Sequence, residues 1–350
     1  MTNPTTRFTV SQRMQRTLAI GLGRVPHTLL RRIAKPPVNT AGEEMAPEIA
    51  LLMSATAKAD DYSDLAPADA RAAVETESIL FAERLGAFEV EEEVVLADGL
   101  LGTRYRAGRE ARGLILFFHG GGFVLGSRAS YETPAKLLAL ESGAEVLSVE
   151  YRLAPEHPFP AAHEDALAAW EYAVAQAPQW GIDPRRIVVA GDSAGGNIAA
   201  VLSQHLRGRK IEPLLQVLIY PVVDVSTRRP SHDEFESSPA LTAKQLEWFT
   251  HHYLASKSDR SDPRVSPLLA AGLAGVAPAV IVVAGFDPLR DEGEEYAAAL
   301  LRAGVSAEVL REGGLVHGFI SFTAISRTSK LAVERIARTI GKALQTAGTS

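Results

Sequence analysis

The stretch Ile187-Val188-Val189-Ala190-Gly191-Asp192-Ser193-Ala194-Gly195-Gly196 decides how the rest of the chain is read. Its first four residues form a short apolar run of the kind that makes a fully buried strand. The run enters G-x-S-x-G, where small residues flank a serine. They let the backbone turn from strand to helix so sharply that the hydroxyl is thrust out of the turn. A Gly/Ser surface loop can carry the same five letters by chance. Context argues for the sharper reading, a nucleophile elbow, because a second apolar run, Leu114-Ile115-Leu116-Phe117-Phe118, empties into His119-Gly120-Gly121-Gly122-Phe123.

Consecutive glycines beside a serine nucleophile have a chemical use. Attack on an acyl carbonyl places negative charge on its oxygen, and backbone N–H groups reach that oxygen only where no side chain intervenes. The expected oxyanion donors are the N–H groups of Gly121, Gly122 and Ala194, the last being the residue after the nucleophile. The competing reading is a phosphate-cradling loop, but no Gly-Lys-Ser/Thr follows; Phe123-Val124-Leu125 does.

A serine nucleophile needs a base, and the base needs an orienting acid. Among nine histidines, His317 is the one that stands late in the chain beyond a strand-like run, in Val316-His317-Gly318-Phe319. His119 belongs to the glycine loop, and His157 and His163 sit beside a Pro-rich turn. His205, His251 and His252 fall on expected helices, and His27 and His232 lie outside any strand-end pattern. For the acid, the apolar run 279–284 leads to Gly285-Phe286-Asp287, making Asp287 the first carboxylate beyond that strand. Asp291 and Glu292 fall in the opening turn of the next helix, where acids complement the helix dipole, so Asp287 is preferred. Asp224, a few residues past the run 217–220, ranks third.

Composition bounds the alternatives. With 350 residues, 46% of them hydrophobic, the chain can bury a large core, and its lack of cysteine leaves the redox compartment open. A net charge of −6 argues against nucleic acid as a partner of the whole protein. No apolar span approaches the roughly 18 residues of a transmembrane helix. Residues 1–36 carry Arg7, Arg13, Arg16, Arg24, Arg31, Arg32 and Lys35 but no acid. That asymmetry suggests a basic helix able to touch lipid peripherally; a secretory signal is disfavoured by a short apolar stretch with no cleavage site after it. A cytoplasmic location is therefore expected.

Residues 1–85 read as a helical cap region and 86–350 as an α/β catalytic domain, with 224–268 contributing to the cap. Strands are expected at 88–96, 102–106, 114–118, 145–151, 187–190, 215–220, 279–284 and 307–310. Helices are expected at 67–81, 131–141, 161–177, 197–207, 240–254, 292–303 and 330–344. Continuous apolar strands separated by helices imply a mostly parallel sheet covered on both faces, with functional residues at the strands' carboxyl ends. The segment 224–268 carries Leu241, Leu246, Trp248, Phe249 and Tyr253, of which the aromatic residues read as helix core rather than substrate wall.

Taken together, these motifs resemble the hormone-sensitive lipase-like group of α/β-hydrolase carboxylesterases, in its bacterial branch. The resemblance rests on His119-Gly120-Gly121-Gly122-Phe123, Tyr151-Arg152-Leu153-Ala154-Pro155-Glu156-His157-Pro158-Phe159-Pro160-Ala161, Gly191-Asp192-Ser193-Ala194-Gly195-Gly196-Asn197, Asp287-Pro288-Leu289-Arg290-Asp291-Glu292-Gly293 and His317-Gly318-Phe319. The chain order Ser193, Asp287, His317 is that of the α/β-hydrolases. The aspartate before the serine is similar to the G-D-S-A-G subgroup. The resemblance implies an N-terminal helical cap, hydrolysis of short- to medium-chain acyl esters, no cofactor or metal, and a homodimer formed through an edge strand. It also implies that Glu156 and its neighbouring prolines brace the oxyanion loop. An amidase, lactonase or deacetylase would use the same parts; a catalytically silent small-molecule receptor on this scaffold would not need His317.

Overall fold

In the computed structural model the apolar runs become strands β1 (Val90–Val95), β2 (Leu101–Arg106), β3 (Leu114–Phe118), β4 (Glu145–Glu150), β5 (Ile187–Asp192), β6 (Leu215–Ile219), β7 (Ala279–Phe286) and β8 (Ala307–Val316). The structure describes residues 16–17, 20–21, 25–57, 61–238 and 240–347, so Arg7, Arg13 and Arg24 of the basic N-terminus lie outside the described residues. One sheet has the order β1-β2-β4-β3-β5-β6-β7-β8. β1/β2 and β2/β4 are antiparallel; every pairing from β4 to β8 is parallel.

The two-residue period of the strands divides the core into two layers. Leu114, Leu116 and Phe118, with Val189 and Ile281, pack against helices α5 (Ala161–Gln176), α6 (Ala194–Leu206) and α9 (Arg290–Arg302). Ile115 and Phe117, with Ala190 and Val282, face α4 (Glu132–Ser142) and α10 (Arg327–Thr346). Burying each such aliphatic side chain contributes about 1.5–3 kcal/mol, which is why strands covered on both sides read as unbroken apolar runs.

The N-terminal region divides in two. After α1 (His27–Ala34), helix α2 (Pro47–Thr56) inserts Ile49, Ala50 and Met53 into the second core layer beside Phe319 and Ile320. The approach is tied down by Ala46 N–H to Gly314 O at 2.8 Å and Asn39 Nδ2 to Gly285 O at 2.9 Å. Buried Glu48 accepts from Ser326 Oγ at 3.0 Å and Thr328 Oγ1 at 2.7 Å. By contrast, the segment from Tyr62 through α3 (Pro67–Phe81) reaches the cavity above the sheet, which Tyr62 and Val74 line. Residues 37–57 are thus woven into the body of the sheet domain.

Strand β8 runs six residues beyond the expected 307–310, through Gly313 and Gly314. These glycines serve close approach. A Cβ on Gly313 would lie 2.5 Å from Glu43 Oε1, and one on Gly285 would lie 2.0 Å from Gly313 O. Among its described residues the segment 224–268 holds two α-helices, the short α7 (Pro230–Glu234) and α8 (Ala243–Tyr253).

Candidate active site

Ser193 stands between β5 and α6 with φ 53° and ψ −115°, a conformation that a side-chain-bearing residue adopts only under constraint. The constraint is visible on either side. A Cβ on Gly195 would lie 2.0 Å from Phe118 O, and one on Gly191 would lie 2.3 Å from Gly195 O. Helix α6 can therefore start hard against β3 only if both positions are glycine. Ser193 N–H donates to Ile219 O at 2.8 Å, which pins the turn to the neighbouring strand.

The structure brings Ser193, His317 and Asp287 into one chain of contacts. His317 Nε2 lies 2.9 Å from Ser193 Oγ, and its Nδ1 lies 2.8 Å from Asp287 Oδ2. A carboxylate has no proton to donate, so Nδ1 carries the ring proton and Nε2 is free to accept from the serine hydroxyl. Asp287 is wholly buried, and its other oxygen accepts from Leu289 N–H at 2.8 Å, which fixes the carboxylate plane. Asp291 lies elsewhere, accepting from Ser231 N–H at 2.8 Å and pairing with Arg290. Asp224 forms a buried ion pair with Arg229 at 2.8 Å.

Gly121 and Gly122 border the same cavity as Ser193 and His317. Gly121 has φ +110°, and a Cβ there would meet Leu125 O at 2.1 Å, so the loop shape itself demands glycine. Among the described residues, none accepts a hydrogen bond from the N–H of Gly121, Gly122 or Ala194. Such unpaired donors beside the Ser193 hydroxyl have the arrangement that an oxyanion would need.

The cavity has a volume of about 180 Å³ and is mainly apolar. Its walls include Leu241, Leu246, Phe249 and Tyr253 from in and around α8, together with Tyr62 and Val222. This corrects the reading of Phe249 and Tyr253 as helix core alone, since α8 lies across the cavity and both line it, whereas Trp248 packs against Tyr62 and Phe249. Phe249 comes closest to the glycine loop, its ring 2.2 Å from where a Gly122 Cβ would be, and it packs on Tyr62 with ring centroids 5.6 Å apart.

Several groups at the site carry no obvious sequence signal. Arg71 on α3 donates to Val124 O and Ala154 O, each at 2.7 Å, and pairs with Glu156 at 2.6 Å. The Arg71 hydrogen bond brings the Glu156 carboxyl down to about 2. Glu156 thus reaches the glycine loop through Arg71. Asp192, which the sequence marks only as a subgroup letter, is buried and accepts from Gly120 N–H at 2.8 Å. Burial pushes its carboxyl up to about 7. Among the described residues, no group of three or more His, Cys, Asp or Glu side chains is placed to hold a metal ion.

The chain is similar to known proteins of the same fold. The family model for the alpha/beta hydrolase fold matches residues 115–321. Carboxylic ester hydrolase LipN of Mycobacterium tuberculosis is 46% identical over 222 residues, a match covering 61% of this chain and 59% of LipN. Carboxylesterase NlhH of the same species is 38% identical over 272 residues, covering 75% of this chain and 85% of NlhH. The crystal structure of a hyperthermophilic esterase from the archaeon Pyrobaculum calidifontis superposes with a TM-score of 0.79 at 36% identity, covering 85% of this chain and 98% of that one. A family match spanning more than half of the chain, with these relatives, places the protein in the alpha/beta hydrolase fold family, among its hormone-sensitive lipase-like carboxylic ester hydrolases.

Proposed function

We propose that the protein is a serine carboxylesterase acting on short- to medium-chain acyl esters, with Ser193 as nucleophile, His317 as base and Asp287 as orienting acid. The observation that carries this reading is the continuous contact chain from Ser193 Oγ through His317 to Asp287 beside an apolar cavity. His317 Nε2 takes the hydroxyl proton as Oγ bonds to the ester carbonyl carbon. Asp287 stabilises the imidazolium formed, and the N–H groups of Gly121, Gly122 and Ala194 bind the oxyanion. The imidazolium protonates the departing alkoxide, leaving an acyl-Ser193. Water, deprotonated by the same nitrogen, adds to the acyl carbon, and collapse returns the proton to Oγ and frees the acid.

In this reading α3 with its preceding turn and the segment 224–268 form the cap that closes the cavity, so volume sets the chain-length limit. A homodimer through β8, a cytoplasmic location and a peripheral lipid contact complete the proposal. Supporting the dimer, β8 ends the sheet with Val309 40% exposed. Supporting the lipid contact, α1 exposes Leu29 and Ile33 beside Arg32 and Lys35. No described helix is long and apolar enough to cross a membrane.

The test is covalent trapping. A fluorophosphonate is expected to label Ser193, and Ser193→Ala is expected to abolish both labelling and ester hydrolysis. An adduct mapped by mass spectrometry to a different serine would refute the assignment.

A further inference from the structure

The carboxyl group beside the nucleophile takes no step in the mechanism above, yet it sits at the junction of every part that does. Asp192 is 1% exposed and, among the described residues, has no ion-pair partner. A desolvated carboxyl is unfavourable unless its hydrogen bonds are all used, and here they are distributed. Oδ1 accepts from Gly120 N–H at 2.8 Å; Oδ2 accepts from the hydroxyls of Tyr131 and Tyr220, each at 3.3 Å. The loop rests directly on this group: a Cβ on Gly120 would lie 2.5 Å from Asp192 Oδ2 and 2.8 Å from the Tyr131 hydroxyl. Gly120 is followed at once by Gly121 and Gly122.

Tyr220 carries the contact further. It has φ 36°, and its ring centroid lies 4.6 Å from that of His317. The groups facing Asp192 include Tyr131 ahead of α4, Tyr151 after β4, Tyr220 after β6, His317 after β8 and the Gly120 backbone after β3. One carboxyl touches the elbow through its own backbone, the glycine loop through Oδ1, and the packing partner of the His317 ring through Oδ2.

We propose, resting on the serine esterase reading, that Asp192 is a positioning residue. Its hydrogen bonds to Gly120, Tyr131 and Tyr220 hold the N–H groups of Gly121 and Gly122 and the ring of His317 in register with Ser193. Preorganised donors stabilise a transition state only while they stay aimed at the oxyanion, so loosening this anchor lowers turnover more than substrate binding.

The experiment compares Asp192→Asn, Asp192→Ala and the double variant Tyr131→Phe/Tyr220→Phe with wild type. Reactive Ser193 is counted by fluorophosphonate titration taken to completion, so kcat is expressed per competent site. Asn keeps an acceptor for Gly120 N–H but sets an amide NH₂ against two hydroxyls; Ala removes every bond. We expect kcat per titrated site to fall roughly 10- to 100-fold in Asp192→Ala, and about 3- to 10-fold in Asp192→Asn and in the double variant, below the loss of an oxyanion donor outright. KM for a short ester is expected to change less than about threefold. Inhibition by a trifluoromethyl ketone, whose serine adduct places an oxyanion against the glycine loop, should weaken by the same factor as kcat. A lowered Tm with unchanged kcat per titrated site would make Asp192 a fold staple and overturn the proposal, as would a loss confined to KM. If the Asp192 variants do not fold, the double variant, which lacks only two hydroxyls, decides in the same terms. Failure of the underlying reading looks different: wild type with no titratable serine, or Ser193→Ala that still hydrolyses esters.

Discussion

Asp287 follows the end of β7 and Asp291 lies in the first turn of α9, and their surroundings separate their chemistry. The first is buried against His317 and Leu289 N–H; the second holds Ser231 N–H and Arg290. Asp287→Asn replaces the acceptor of Nδ1–H by a group that favours the wrong imidazole tautomer. Its kcat is expected to fall about 10⁴-fold by analogy with serine proteases, whereas Asp291→Asn should lose less than about tenfold. Steady-state kinetics on one chromogenic ester checks both, and a larger loss at Asp291 would reverse the assignment. Glu292, next along the chain, is fully buried, with Oε1 accepting from Val223 N–H at 2.7 Å and Oε2 without a hydrogen bond. Burial raises this carboxyl to about 8. The folded state then binds a proton that the unfolded state releases above about pH 4.3. The stabilisation from the raised group is therefore complete below that pH and is lost as pH rises through about 8. Glu292→Gln keeps the Val223 acceptor and cannot ionise. Its stability relative to wild type is expected to rise between about pH 5 and 8, by at most a few kcal/mol, because one proton retained on folding changes stability by about 1.4 kcal/mol per pH unit. Denaturant unfolding at both pH values measures this, and parallel curves for the two proteins would contradict it.

At the scale of elements, α8 is, under the proposed esterase reading, the wall that limits acyl chain length. Phe249→Ala would remove the ring lying against Gly122 and packing on Tyr62. The preferred acyl chain should then lengthen by about two to four methylenes, each contributing at most about 0.8 kcal/mol of binding. Comparing kcat/KM from acetyl to dodecanoyl esters of one alcohol tests this; an unchanged optimum would place the limiting wall elsewhere. The same helix shows what a sequence can and cannot convey. Its spacing identifies an apolar face, but not whether a core or a cavity lies beneath it. Strand β8 offers a second case: Gly313-Gly314 reads locally as a break. The reason for glycine is a segment around Glu43, and nothing near residue 313 announces that neighbour. By contrast, the positions of Ser193, Asp287 and His317 are legible, because each follows an apolar run whose end is marked by glycine or by a change in polarity. The alternation of strands and helices is legible for the same local reason. Tyr62, Arg71 and Asp192 are not, since their partners are remote in sequence.

At the scale of the molecule, the two edges of the sheet differ. β1 carries Glu91, Glu92 and Glu93, which pair inward with Lys136, Arg104 and Arg128, and such a charged edge resists addition of another strand. The β8 edge exposes Val309 as well as the charged Glu308 and Arg311. Under the dimer proposal, Val309→Lys is expected to give a monomer by light scattering with kcat per site retained; a variant that stays dimeric would move the interface off β8. The ties between the segment around residues 39–48 and the far end of the chain have a further consequence, in time rather than space. Asn39 and Gly285 are 246 positions apart, Glu43 and Arg311 268, and Glu48 and Thr328 280. A ribosome adding about 5–20 residues per second needs some tens of seconds to deliver the later partners, throughout which Ile49 and Met53 have no native layer to enter. The strand end that bears Asp287 can settle only after most of the polypeptide has emerged. During that interval the apolar face of α2 lacks its late partners, and a nascent chain halted before β8 would hold an elbow serine with no histidine to meet it.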